Sequence, residues 1–214
     1  MRVRHHAVQP VIRGTAGREL ACSPGAAYCH TVRCVMLCSA GRIRMSDSGG
    51  ITVIGIDPGS TVTGWGVVRE ASGVLSLVAC GAIRARGAEF PERLASIYHA
   101  LNAVLERWQP VEAAVEQVFT AKNASSALKL GQARGVVIAA CAAHSLPVRD
   151  YPPALVKKSL VGTGRAEKEQ VAFMVAQMLG CTRKNWALDT SDALGVALCH
   201  LSMRRFQRLA ALAQ

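Results

Sequence analysis

The sequence predicts an α/β fold in which a mixed five-stranded sheet is flanked by helices. Three observations predict it. Residues 51–56, ITVIGI, form an unbroken apolar run that stops at Asp57, Pro58, Gly59 and Ser60; a run of that length bounded by turn residues indicates a strand buried on both faces. Farther along, strand-like segments alternate with stretches in which apolar residues recur every three or four positions, as in helices that cover a sheet. Half of the 214 residues are hydrophobic but only 5% are aromatic, so the core must be built mainly from closely packed Ala, Val, Leu and Ile.

Each element follows in order. After the first run, GWGVVRE and VLSLVACGAIR are strand-like and are separated by Ala71, Ser72 and Gly73, which suggests an antiparallel pair beside the first strand. Residues 91–108 place Leu94, Ile97, Tyr98, Leu101, Val104, Leu105 and Trp108 at steps of three and four behind Pro91, an amphipathic helix. AAVEQV is a short fourth strand carrying Glu116. Residues 123–144 are Ala-rich and free of proline, and they open at the capping candidate Asn123; a long helix buried over much of its surface is expected. LPVRDY supplies the fifth strand, and residues 153–160, 166–179 and 188–203 supply further helices.

Residues 1–50 show neither the helical nor the strand period and are broken by Gly14, Gly17, Pro24, Gly25, Gly41, Gly49 and Gly50. They are expected to be a disordered extension, residues 51–205 the folded domain and residues 206–214 a tail. Met45 opens MSDSGG directly before the first strand, so translation is expected to start there; a basic arm that binds nucleic acid is the alternative.

The formal charge is +11, which points to a polyanionic partner. Residues 1–44 hold seven Arg against Glu19 alone, net +6, and residues 45–214 hold 18 Lys and Arg against 13 acids, net +5. Cys22, Cys29, Cys34 and Cys38 have no zinc-site spacing, and Cys80, Cys141, Cys181 and Cys199 have no framework spacing, as expected of buried thiols in a reducing cytoplasm. No membrane partner is expected, since no run of apolar residues is long enough to span one.

The chemistry lies in the acids. Asp57 closes the first strand, Glu116 sits in the short fourth strand, and Asp189 and Asp192 open the last helix, three residues apart and therefore on one face. Each alone has an ordinary reading: Asp57 as a turn cap before Pro58, Asp189 as a first-turn acid. Together they are harder to dismiss, because an acid in a buried strand costs several kcal/mol unless it is paired or bound to a cation. Oxygen ligands suit Mg²⁺, and two such ions roughly 3.5–4 Å apart stabilise the attacking and leaving oxygens of phosphodiester cleavage.

The stretches IGIDPGSTVTGWGVV, AVEQVFTAKNASSALKLGQARGVV, VKKSLVGTGRAEKEQV and DTSDALGVALCH closely resemble, in that order, the RuvC family of Holliday junction resolvases, over about residues 51–203. The resemblance implies a ribonuclease H-like fold and a homodimer that resolves four-way DNA junctions by paired symmetric nicks during recombination and repair. It also implies two Mg²⁺ per subunit, with Mn²⁺ as a substitute, 5′-phosphate and 3′-hydroxyl ends, and RuvA and RuvB branch-migration proteins as partners. Carried over residue by residue, the metal carboxylates are Asp57, Glu116, Asp189 and Asp192, although some relatives have histidine at the position of Asp189. Lys157 and Lys168 flank the loop VGTG, and the resemblance implies that they approach phosphates near the cut; Lys158 and Lys122 join them as DNA-binding residues. Phe119 falls where the family stacks an aromatic on bases at the junction. Without the resemblance, these lysines are ordinary surface residues and Phe119 a core side chain.

Two other classes compete. GIDPGST is also similar to the phosphate loop of the actin, heat-shock chaperone and sugar kinase superfamily, but an ATP-binding enzyme of that kind needs two domains, and roughly 160 residues do not hold them. A DNA-binding module without chemistry gains nothing from a negative cluster beside a basic groove.

Overall fold

The computed structural model describes residues 32–35, 50–117, 123–181 and 186–212. Its strands are β1 (Val32–Val35), β2 (Ile51–Asp57), β3 (Val62–Ala71), β4 (Val74–Arg84), β5 (Glu112–Glu116) and β6 (Val148–Tyr151). Its helices are α1 (Phe90–Trp108), α2 (Ala124–Ala143), α3 (Pro153–Val161), α4 (Lys168–Met178) and α5 (Leu188–Leu212). The sheet runs β1-β4-β3-β2-β5-β6, antiparallel from β1 to β2 and parallel from β2 through β5 to β6. Ser72 and Gly73, with φ of 51° and 80°, turn β3 into β4, the paired positive φ that matches the twist of a tight hairpin.

The central strand β2 is buried on both faces, which is why it is apolar throughout. Ile54 and Ile56 join Trp65, Val67, Ile97, Leu101, Leu105 and Val137 under α1 and α2. Val53, on the other face, joins Ala114, Val156, Val175, Leu194 and Leu198 under α3, α4 and α5. The molecule is therefore a sheet between two helical layers, and α5 lies directly against β2 and β3. Among the described residues, no helix is long and apolar enough to cross a membrane.

Three expectations change. The five strands expected between residues 51 and 151 are present, but β1 adds a sixth from the segment expected to be disordered, pairing Val32 with Ile83 and Val35 with Cys80. Without it β4 would present an open row of backbone donors and acceptors. Second, α5 continues to Leu212, so the expected tail is helical over most of its length; no Gly or Pro follows Gly195 to stop it. Third, α2 is less buried than its Ala-rich sequence suggests. Asn123 accepts a 2.7 Å hydrogen bond from the Ser126 amide and starts the helix, but residues 124–129 are exposed and contact with the core begins at Ala133.

Candidate active site

Asp57 and Glu116 are the last residues of β2 and β5. These strands are parallel and in register through Ile56 and Val115, so the next residue of each is an acid and the two carboxyls leave the sheet side by side. Alternation sends both to the α5 face, since Val53 and Ala114, an even number of residues away, belong to the core on that side. The turn beyond Asp57 is fixed by buried Thr63, whose hydroxyl accepts from the Gly59 amide at 3.3 Å and donates to the Gly59 carbonyl at 3.0 Å.

The last two acids are brought in by close approach of α5 to the sheet. A Cβ at Gly64, the register partner of Asp57, would overlap the carbonyl oxygen of Asp189. One at Gly55 would overlap the backbone of Ala193, and one at Gly66 the side chain of Leu194. Three strand glycines thus form a floor on which the first turns of α5 rest almost backbone to backbone. Asp189 and Asp192, in those turns, are held over the ends of β2 and β5.

The electrostatics agree with this geometry. Burial, followed by the charge of Glu116 and a hydrogen bond with it and then the charges of Asp192 and Asp189, raises Asp57 to about 8. Glu116 is raised as well, mainly by burial. Two carboxyls this close share a proton rather than both ionise. Lys168 donates from Nζ to Asp192 Oδ2 at 3.0 Å and is itself raised, first by that hydrogen bond. Lys157 and Lys168 both face Glu116 closely enough to oppose its upward shift.

The structure therefore brings together Asp57, Glu116, Asp189, Asp192, Lys157 and Lys168. Lys158 is exposed and enters none of the interactions described among these groups. Phe119 and Lys122 lie outside the described residues. Sequence reasoning missed the glycine floor, although glycines inside strands, in the segments IGI and GWG, are a known sign of close backbone approach. It also missed a set that joins α5 to β5 and β6 around buried His200: His200 Nε2 lies 2.7 Å from Glu112 Oε2, His200 Nδ1 lies 2.8 Å from the Tyr151 hydroxyl, and Arg204 Nε donates to Glu112 Oε1 at 3.0 Å. No local signal marks those partners.

Among the described residues, no three His, Cys, Asp or Glu side chains already stand in metal-coordinating geometry. The donor set nevertheless fits a divalent cation. It consists of hard, partly buried carboxylate oxygens, where burial first and then the neighbouring acids push Asp57 upward, and a cation drawn between them would offset both.

Comparison with known proteins gives the family. The family model for crossover junction endodeoxyribonuclease RuvC matches residues 53–200. The crossover junction endodeoxyribonuclease RuvC of Oleidesulfovibrio alaskensis is 66% identical over 162 residues, 76% of this chain and 97% of that one. The Vibrio cholerae protein of the same name is 49% identical over 153 residues, 72% of this chain and 88% of that one. The solved structure of Thermus thermophilus RuvC in complex with Holliday junction substrate superposes with a TM-score of 0.69 at 35% identity, covering 73% of this chain and 96% of that one. A sheet of this order, ending in two partly buried acids and covered by a helix that carries two more, thus occurs here in a chain that belongs to the RuvC family of crossover junction endodeoxyribonucleases.

Proposed function

We propose that the protein is a crossover junction endodeoxyribonuclease, a hydrolase that resolves four-way DNA junctions by paired nicks in recombination and repair. The observation that carries this reading is the partly buried pair Asp57 and Glu116 at the ends of parallel strands, faced by Asp189 and Asp192, in a chain of this family. Family membership leaves the ATP-binding reading without support.

Asp57, Glu116, Asp189 and Asp192 would hold the metal, two Mg²⁺ per subunit with Mn²⁺ as a substitute. When bound there, such ions lower the pKa of water and stabilise the leaving 3′ oxygen. The chain's own residues do the rest. Lys157 and Lys168, beside Glu116, neutralise charge that builds on the phosphate as water attacks in line. Lys122 and Lys158 hold the DNA backbone, and Phe119 stacks on a base at the junction. Cleavage leaves a 5′-phosphate and a 3′-hydroxyl.

One subunit carries one acidic cluster, whereas parting a four-way junction into two duplexes needs two cuts in opposed strands, so the active species is a two-fold dimer. The exposed first half of α2, with Leu128 65% exposed, supports that helix as the dimer surface. RuvA and RuvB are the branch-migration partners of this reading, and the cytoplasm is its compartment. The test is incubation of the purified chain with an end-labelled synthetic junction and Mg²⁺, with sedimentation of the same sample. Two symmetric nicks that ligase seals, made by a dimer, are expected; an uncut junction overturns the reading, and a monomer cutting one strand overturns its paired mechanism.

A further inference from the structure

We infer that His200, clasped with Arg204 onto Glu112 and joined to Tyr151, is a positioning residue that sets the lengthwise register of α5 on β5 and thereby the separation of Asp192 from Glu116. The inference rests on the metal site proposed above. It explains something the glycine floor leaves open. Gly55, Gly64 and Gly66 let α5 come close to the sheet, but a floor without side chains offers little to stop a helix sliding along its own axis.

The contacts give the direction of α5. Asp189 lies over Gly64, beside Asp57, and Ala193 and Ala197 lie over Gly55. His200 then reaches Glu112 at the start of β5. The helix therefore runs from the ends of β2 and β5 towards their beginnings. Glu112 and Glu116 are four strand residues apart on one face, about 13 Å. Asp192 and His200 are eight helical residues apart, about 12 Å. The two intervals match, so when His200 meets Glu112 at one end, Asp192 is carried to Glu116 at the other.

The clasp is built to hold one register. His200 is 3% exposed, and its neutral ring satisfies both neighbours at once, with Nε2–H donating to Glu112 and Nδ1 accepting from the Tyr151 hydroxyl. Arg204, one turn on, takes the second oxygen of Glu112, so the carboxylate is gripped at two points on α5. Tyr151 is the register partner of Glu116, and its carbonyl accepts from the Gln117 amide at 2.8 Å. The same histidine thus ties α5 to β5 through Glu112 and to β6 through Tyr151. A slip of one residue would break these bonds and move Asp192 by about 1.5 Å.

The test uses the full chain and two readouts: Mn²⁺ binding without DNA, followed through the paramagnetic resonance of the free ion, and the Mg²⁺ concentration giving half-maximal junction cleavage. His200→Ala is expected to raise the Mn²⁺ dissociation constant and the Mg²⁺ requirement at least tenfold, and Glu112→Gln and Tyr151→Phe at least threefold, with junction affinity in EDTA within twofold of wild type. Val104→Ala, which loosens the opposite layer, lowers the melting temperature without moving either metal readout. If His200→Ala does not fold, Glu112→Gln and Tyr151→Phe carry the comparison. Variants that bind Mn²⁺ as wild type does, or a shift reproduced by Val104→Ala, overturn the inference while leaving the nuclease reading intact. A wild-type chain that neither binds Mn²⁺ nor cuts overturns both.

Discussion

Asp57 and Glu116 hydrogen-bond to each other from the ends of adjacent parallel strands. Two acids packed this way disfavour the metal-free fold and favour a cation, so neutralising either should separate binding from chemistry. Asp57→Asn and Glu116→Gln are each expected to reduce cleavage by about 10³-fold or more, the upper range for loss of one preorganised electrostatic group, while junction affinity stays within twofold. Single-turnover cleavage and gel retardation measure the two. Wild-type nicking by either variant would remove that carboxylate from the site.

The raised Asp57 also predicts a pH dependence without divalent cations. Its folded pKa is about 8 against an ordinary 3.8, so between those values the folded chain holds a proton that the unfolded chain releases. Stability from this group is therefore full below about pH 4 and is lost as pH rises towards 8. Asp57→Asn lacks the titration, so its melting temperature should exceed that of wild type by a margin that widens from pH 5 to pH 8. Saturating Mg²⁺ should narrow the margin by stabilising only the wild type. A margin independent of pH would show that Asp57 does not titrate in this window.

Gly64→Ala forces a methyl group into the Asp189 carbonyl. Overpacking of this kind costs about 1–3 kcal/mol, and a displacement of about 1 Å at the acids costs roughly 10²-fold in rate. Gly135→Ala on α2, where an added Cβ meets nothing within 4 Å, should instead stabilise the subunit by about 0.5–1 kcal/mol. Urea denaturation and cleavage rates compare them. Normal activity in Gly64→Ala would mean that α5 does not need its close seat.

Lys168→Ala removes the partner of Asp192. The lysine is largely exposed, so the pair contributes under about 1 kcal/mol to stability, and the melting temperature should barely move. Turnover should fall about 10²-fold if the ammonium stabilises charge on the phosphate. Lys158→Ala, outside the cluster, should weaken junction binding modestly and leave turnover alone. Equal losses in the two variants, measured at saturating junction, would contradict separate roles.

Deleting residues 1–44 removes β1 and uncovers β4 but touches none of the acids. Cleavage should stay within twofold and the melting temperature should fall by a few degrees. A large rise in the junction dissociation constant would give the extension a role in binding.

The acids were legible in the sequence because an ionisable residue closing an apolar strand conflicts with its surroundings, and Asp57 and Glu116 each create that conflict. The strands from Ile51 to Tyr151 were legible because their apolar runs are continuous and their turns lie nearby. β1 was not, since four residues among glycines carry too little propensity and their pairing with β4 is distant. The end of α5 was missed because Phe206 and Leu209 point to solvent, so apolar periodicity ceases to report burial there. Glu112 and His200 are 88 residues apart, and only the folded chain joins them.

The seat of α5 on Gly55, Gly64 and Gly66 makes the site tolerant of sequence drift elsewhere. A spacing set by main chain against main chain has no rotamers to readjust. Exchanges among Leu101, Leu105 and Val137, on the far side of the sheet, can then repack their own layer without altering how high the helix rides above the acids. The chemistry is insulated from the part of the core most free to vary, and the vulnerability is concentrated in three positions where even one methyl group is too many.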